Sequence, residues 1–230
     1  MLGIIGAMDI EVARIKEQLQ DVKIEDRAGM EFYCGKWHGK DVAVVRSGVG
    51  KVNGAICAQI LIDLFGVDYI INTGIAGSLK NEINIGDVVL STDALQHDMD
   101  ARGFGYALGV IPQMKESDFK ADDGLINLAK DCCARVCPDI QTFTGRVVSG
   151  DQFISDKDKK NHLVEEFQGF CTEMEGAAIA QTAYLNQVPF LIIRAISDKA
   201  DDSATMDYPA FEAMAVENSV KLLSAMVENM

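Results

Sequence analysis

The chain is poor in the residues that interrupt a fold. Only four prolines occur in 230 residues, and no stretch rich in serine, proline and glycine breaks the sequence. That argues against an interdomain linker and for a single domain spanning residues 1–230. No internal repeat is present. Long apolar runs are absent as well, which argues against a membrane span. The N-terminal "MLGIIGAM" soon meets Asp9 and Glu11 and lacks the basic segment of a signal peptide. Basic residues are few: 21 Lys and Arg against 35 Asp and Glu give a net charge of −14, with the acids scattered along the chain. Such a field repels phosphate backbones and anionic lipid, so nucleic acid and membrane surfaces are disfavoured as partners. A neutral or cationic small molecule suits it better, and the cytoplasm is the expected location.

The six cysteines are Cys34, Cys57, Cys132, Cys133, Cys137 and Cys171. Without an export signal they read as reduced thiols. Cys132, Cys133 and Cys137 match no CxxC pair and have no histidine near them in sequence, so no metal is expected there, only a helix with small buried thiols.

Apolar residues make up 48% of the chain, enough for one large core. "LGIIGA" (2–7) reads as a buried strand, followed by a helix with Met8, Val12, Ile15 and Leu19 on one stripe. "EFYCGKW" and "DVAVVRS" flank a hairpin turn at His38-Gly39-Lys40. A helix over 51–65 precedes the buried strand "VDYIINT" (67–73), and "GDVVLSTDAL" adds another strand. A connection over about 95–120, rich in glycine and aromatics, is long enough to be functional. Beyond it are predicted a helix over 122–135, the strand "FTGRVVSGD", a helix over 157–167, and the FCTEME strand leading into a helix over 175–187. The strand "VPFLIIRAIS" and an amphipathic helix over 208–229 close the chain. This alternation predicts an α/β fold of three layers, with a central mixed, twisted sheet flanked by helices.

The glycine motifs suggest a phosphate loop and then fail the test. In "SGVGKVNG", Val45 stands where a P-loop needs its first glycine and Val52 where it needs Ser or Thr; Asn53 replaces the third glycine of a dinucleotide fingerprint. Gly48, Gly50, Gly74 and Gly77 still lie just past strand ends, where a backbone can approach a ligand or simply turn. Polar residues recur at those same ends: Glu11 after the first strand, Glu173 and Glu175 after another, Arg194, Ser197 and Asp198 at the last. In open α/β sheets, ligands gather beyond the carboxyl ends of strands, so these groups are candidates for one pocket. Taken singly, a carboxylate at a helix start is more often a dipole partner than a catalyst.

Together the residues are recognisable. "GIIGAMDIEV", "SGVGKVNGA", "INTGIAGSL", "VSGDQFI", "TEMEGAAIA" and "VPFLIIRAISDKAD" resemble, in order and over nearly the whole chain, the 5′-methylthioadenosine/S-adenosylhomocysteine nucleosidase family of the nucleoside phosphorylase superfamily. The resemblance implies a nucleoside phosphorylase/hydrolase-like fold and a hydrolase that cleaves the N9–C1′ bond of adenosine thioethers to adenine and a thioribose, with 5′-deoxyadenosine as a further substrate. It implies a place in methionine salvage and the methyl cycle, and no cofactor. Asp198 would protonate N7, Glu11 would activate water with Arg194 helping to place it, and Glu175 would hold the ribose hydroxyls beside the Met174 backbone. For Glu173 the expectation is a supporting role as a partner of Arg194, with a plain structural ion pair as the alternative. Ala76 and Gly77 line the site, Phe153 stacks on adenine, the Ile154 backbone meets its edge, and Ser197 supports the base or Asp198. Met8, Val49, Phe104 and Tyr208 would form an apolar 5′-alkylthio pocket. Tyr106 and Pro112 match loop residues that reach a neighbouring subunit's pocket, implying a homodimer. One departure stands out: Ile75 occupies a position where the family often has serine. Two alternatives keep the fold: action on aminodeoxyfutalosine, and a phosphate-dependent phosphorylase. The latter needs several cationic donors around an anion; Arg46 and Arg194 in the strand-end motifs and Lys80 after "NTGIAGSL" are the candidates.

Overall fold

The computed structural model describes residues 1–201 and 204–230, and the side chains of these apart from 205–210 and 212. Tyr208, expected in the 5′ pocket, falls outside the described side chains.

The chain forms β1 (Leu2–Gly6), α1 (Asp9–Lys16), β2 (Gln20–Arg27), β3 (Met30–Trp37), β4 (Lys40–Arg46), α2 (Lys51–Phe65), β5 (Tyr69–Ser78), β6 (Val88–Gln96), β7 (Asp118–Lys120), α3 (Asp123–Val136), β8 (Thr142–Ser149), α4 (Lys157–Phe167), β9 (Cys171–Glu173), α5 (Gly176–Leu185), β10 (Phe190–Asp198) and α6 (Ala204–Asn229). The strands make one mixed sheet in the order β10-β6-β8-β9-β5-β1-β4-β3-β2, with β7 on β6. Because β10 also pairs with β5, the strands β5, β10, β6, β8 and β9 close on themselves.

Helices cover both faces, as the mixed pattern predicts. Val12 and Ile15 of α1, Leu125, Ile126 and Ala129 of α3, and Leu222, Leu223 and Met226 of α6 fill a core against Ile4, Val44, Ile71 and Ile193. On the opposite face, Cys57, Ala58 and Leu61 of α2 meet Ala177, Ala180 and Ala183 of α5 over Ile5, Ile70 and Ile192. Small α5 residues allow that close packing. The β3–β4 hairpin turns on His38 and Gly39, both at positive φ, as a two-residue turn between twisted strands requires.

One strand escaped the sequence reading. β2, "QDVKIEDR", is exposed along its whole length and pairs only with β3 among the described strands. Its charges suit an edge strand that must resist pairing with other chains, and they remove the alternation by which a strand is recognised. The three-residue β7 lies inside the connection read as loop, and α6 begins at Ala204 rather than near 208.

β1, β4, β5 and β10 run parallel. Their carboxyl ends therefore open on one side of the sheet, and the polar motifs meet there.

Candidate active site

A cavity of about 370 Å³ lies at these strand ends. Its wall includes Met8, Glu11, Val49, Ile75, Ala76, Gly77, Phe153, Glu173, Met174, Glu175, Ser197 and Asp198. Residues spread from position 8 to 198 thus share one space.

Glu11 stands in the first turn of α1 and is buried. Its Oε2 accepts the N–H groups of Ala7 (2.7 Å) and Met8 (2.9 Å), and its Oε1 accepts that of Ile75 (3.1 Å). It therefore serves the helix terminus and faces the cavity at once, so the two readings of this carboxylate are not exclusive. Burial raises its pKa above the usual carboxylate value, only partly offset by Arg194 and these three N–H donors.

β5 runs between the cavity's two carboxylate ends. A Cβ on Gly74 would lie 2.5 Å from Glu11 Oε1 and 2.6 Å from Arg194 Nη1, and one on Gly77 would lie 2.7 Å from Asp198 Oδ1. Across the ladder, Arg194 is in register with Gly74 and, past a bulge, Asp198 with Gly77. Glycine is required at both places by close approach. At roughly 3.3 Å per residue, the two positions are about 10 Å apart along the strand.

Asp198 is buried; its Oδ2 accepts Ser197 Oγ–H at 2.9 Å and its Oδ1 accepts Ala200 N–H at 2.8 Å. Glu175 enters from the other side, as the N-cap of α5, with Gly50 N–H donating to its Oε1 at 2.7 Å. Burial and the neighbouring Glu173 charge push its pKa up to about 7, against the opposing pull of Arg194 and Gly50 N–H.

Glu173 answers the arrangement beneath. Its Oε2 accepts from the Glu175 and Gly176 N–H groups at 3.1 and 2.8 Å and from Arg194 Nη2, and its Oε1 accepts from Ser149 Oγ. Burial alone would raise its pKa, but Arg194 and the hydroxyl and N–H donors outweigh it and hold the carboxyl below its usual value. The pairing expected of Glu173 and Arg194 is present. Arg194 also donates to Asn72 Oδ1 at 2.5 Å, while Asn72 Nδ2 donates to Ile5 O at 3.0 Å. Asn72 and Ser149 were passed over, although both stand inside motifs quoted for the resemblance.

Several of the expected site residues do not line this cavity. Arg194, only 2% exposed, is not among the residues lining the cavity; it lies against Glu173 and Glu11, which do line it. Phe104 is 86% exposed and does not line its own chain's cavity, because it rides on a short 3-10 turn (Arg102–Phe104) standing out from the long connection. The Ile154 side chain packs into an apolar cluster with Leu163 and Phe167, in keeping with an expectation that concerned only its backbone. Tyr106 is exposed and Pro112 half-buried on the same connection, and neither lines this chain's cavity.

A mixed sheet with a carboxylate-rimmed cavity at its parallel strand ends defines the class, and the family model for the phosphorylase superfamily matches residues 1–228. The 5′-methylthioadenosine/S-adenosylhomocysteine nucleosidase of Staphylococcus carnosus is 40% identical over 231 residues, covering 100% of both chains. The crystal structure of the nucleosidase of that name from Neisseria meningitidis, in complex with methylthio-immucillin-A, superposes with a TM-score of 0.95 at 37% identity, covering 100% of this chain and 99% of that one. The native futalosine hydrolase of Helicobacter pylori superposes with a TM-score of 0.94 at 34% identity, covering 100% and 97%. The chain belongs to the phosphorylase superfamily and, within it, to the 5′-methylthioadenosine/S-adenosylhomocysteine nucleosidase family.

Proposed function

We propose that residues 1–230 form one nucleosidase domain that hydrolyses the N-glycosidic bond of 5′-methylthioadenosine and S-adenosylhomocysteine, and of 5′-deoxyadenosine. One observation carries this reading: two buried carboxylates, Glu11 and Asp198, sit against Gly74 and Gly77 on one strand, at separate ends of one cavity. A spacing of that order leaves room for a sugar and a water between an acid and a base.

In this mechanism Asp198 gives a proton to purine N7, so that adenine leaves without forming an anion. The C1′–N9 bond breaks as the ribose takes on oxocarbenium character. Water, its proton drawn to Glu11, forms the new bond to C1′. A raised pKa suits Glu11 to be a base near neutral pH. Glu175 accepts the ribose hydroxyls beside the Met174 backbone, Phe153 stacks on the purine, and the Ile154 backbone meets its edge. Ser197 holds Asp198 through the bond already described. Met8 and Val49 flank the 5′ substituent. Arg194 and Glu173 position the carboxylates from behind.

A phosphorylase would need cationic donors in the cavity, and among its described lining residues none is Lys, Arg or His. Arg46 is drawn to Asp9 at 3.3 Å, and Arg194 is engaged by Glu173. The likeness to a futalosine hydrolase keeps aminodeoxyfutalosine as the alternative substrate. A cytoplasmic location and a place in methionine salvage belong to the same proposal; no helix among the described residues is long and apolar enough to cross a membrane.

The protein is further proposed to act as a homodimer. Val52, Ile56 and Leu64 expose an apolar stripe on α2, and Phe104 and Tyr106 are separately exposed on the long connection. That connection would bring Phe104, Tyr106 and Pro112 to the partner's cavity.

The test incubates purified protein with methylthioadenosine, with and without phosphate, and identifies the sugar. Free methylthioribose and adenine formed without phosphate support hydrolysis. A requirement for phosphate, with a sugar 1-phosphate as product, rejects it.

A further inference from the structure

The lysine of "SGVGKVNG", which a phosphate loop would aim at its ligand, is aimed at another part of the chain. Lys51 opens α2 outside the cavity wall, and its Nζ donates to Asp98 Oδ1 at 2.6 Å and to Gln96 Oε1 at 3.0 Å. Asp98 Oδ2 accepts the N–H of Asp151 at 3.0 Å, and Asp151 Oδ1 accepts the N–H of Lys51 at 2.8 Å. Three residues far apart in sequence thus close a ring of hydrogen bonds. It is more than a surface ion pair: the Lys51 and Asp98 side chains are 19% and 15% exposed, and two of the bonds fix main-chain N–H groups rather than mobile tips. Burial works against the Asp98 charge, yet the Lys51 ammonium and the Asp151 N–H hold its carboxyl below the usual value.

The ring joins two halves of the cavity. On one side of it, Gly50 N–H holds Glu175 Oε1 at 2.7 Å, at the proposed ribose end. Gly50, at φ +101°, comes so near the ring that a Cβ there would lie 3.1 Å from Asp151 Oδ1. On the other side, the segment 151–154 carries Phe153, which lines the cavity at the proposed purine face. That segment is tied at Asp151 by the ring and at Ile154 by its packing with Leu163 and Phe167. Phe153 sits between the two ties. Lys51 and Asp98 line no part of the cavity, yet they link both of its halves.

We propose that Lys51 and Asp98 are positioning residues, which hold the purine-stacking segment 151–154 and the ribose acceptor Glu175 at the one spacing that a whole nucleoside needs. The inference rests on the nucleosidase reading and deepens it.

The experiment compares methylthioadenosine, which spans both halves, with adenine, which occupies only one. Lys51→Met, Asp98→Ala and the combined variant are made in the full chain. Adenine-binding sites are counted by calorimetry and turnover is expressed per site, so unfolded molecules cancel. Each single variant should bind adenine as the parent does and lose about a hundredfold in kcat/KM for methylthioadenosine, the scale of a small misplacement of a bound substrate. The combined variant should lose no more than either single one, since one break already opens the ring. Should Asp98→Ala fail to fold, Lys51→Met decides alone. Parent turnover per site in the variants, losses that multiply in the combined variant, or an adenine affinity that falls as far as kcat/KM would each overturn the positioning role while the nucleosidase reading stands. If the parent releases no adenine from methylthioadenosine, that reading falls and the inference with it.

Discussion

Gly74 and Arg194 face each other in register across the β5–β10 ladder, and the guanidinium fills the space a side chain on Gly74 would need. Glu11 Oε1 converges on the same point from α1. One missing Cβ therefore lets the proposed base and its cationic support meet over a strand. Gly74→Ala should force them apart. The substitution is expected to reduce kcat by at least about a hundredfold, since small misplacements of reacting groups carry penalties of that size. Overpacking should lower stability by about 1–3 kcal/mol. Steady-state kinetics beside denaturant unfolding checks both. A variant that unfolds at the same midpoint and turns over normally would show that the convergence has no catalytic value.

Asp198 and Glu11 are assigned opposite jobs, and their amides should separate the jobs from binding. Asp198→Asn keeps an acceptor for Ala200 N–H and can donate its amide to the Ser197 hydroxyl, but cannot supply a proton at neutral pH. Its kcat for methylthioadenosine should fall by about 10²–10⁴, the contribution of a positioned acid. Glu11→Gln should fall similarly. Both variants should still bind adenine, as read by calorimetry. Near-normal turnover in either would remove that residue from its role.

Glu175 supplies the pH dependence. Its pKa is pushed to about 7, first by burial and next by the Glu173 charge. As the proposed acceptor of ribose hydroxyls it must be ionised, so kcat/KM should fall on the acid side of about pH 7. Removing the Glu173 charge favours the Glu175 anion, and the acid limb in Glu173→Gln should move to lower pH. A raised pKa also means that Glu175 contributes stability below about pH 4.5, its unperturbed value, which is lost as pH rises through about 7. Glu175→Gln should therefore gain stability over the parent between pH 5 and 8. Melting curves across that range test the sign, and a parent that gains stability relative to Glu175→Gln as pH rises would contradict it.

The site was more legible than the scaffold around it, for a physical reason. Glu11, Glu175 and Asp198 sit at a strand end or at the helix start that follows one, where apolar patterning stops abruptly and a polar residue is conspicuous; Gly74 and Gly77, expected just past a strand end, lie inside β5. β2 has no apolar face, because an exposed edge strand needs none, so periodicity could not find it. Gly50 and Glu175 are 125 residues apart yet bonded at 2.7 Å; only the topology that lays α2 beside α5 brings them together. Asn72 and Ser149 stood in plain view within motifs, but their hydrogen bonds reach other carboxylates and cations rather than the cavity, and nothing in their type announces that. Arg194 was legible as a polar residue at the end of an apolar run, but its burial, on the same face of β10 as Ile192 and Ile196, was not.

The long connection carries the prediction that reaches beyond one chain. Phe104 is almost fully exposed, and Tyr106 stands beside it, which is an unfavourable place for aromatic rings unless a second surface covers them. If they complete a partner's cavity, damage to the connection and damage to the cavity act on different active sites. A Tyr106→Ala chain keeps its own carboxylates but deprives its partner's site of a wall, and an Asp198→Asn chain does the reverse. Each homodimer should be impaired, the first mainly through KM and the second through kcat. In a mixed dimer, the intact cavity of the Tyr106→Ala chain faces the intact connection of the Asp198→Asn chain, so one fully competent site is rebuilt. Mixed dimers, purified on two different tags, should therefore show a lower KM than Tyr106→Ala homodimers and a higher kcat than Asp198→Asn homodimers. A mixed dimer with the Tyr106→Ala KM would mean that the connection serves its own chain, and a monomer by light scattering would remove the shared site altogether.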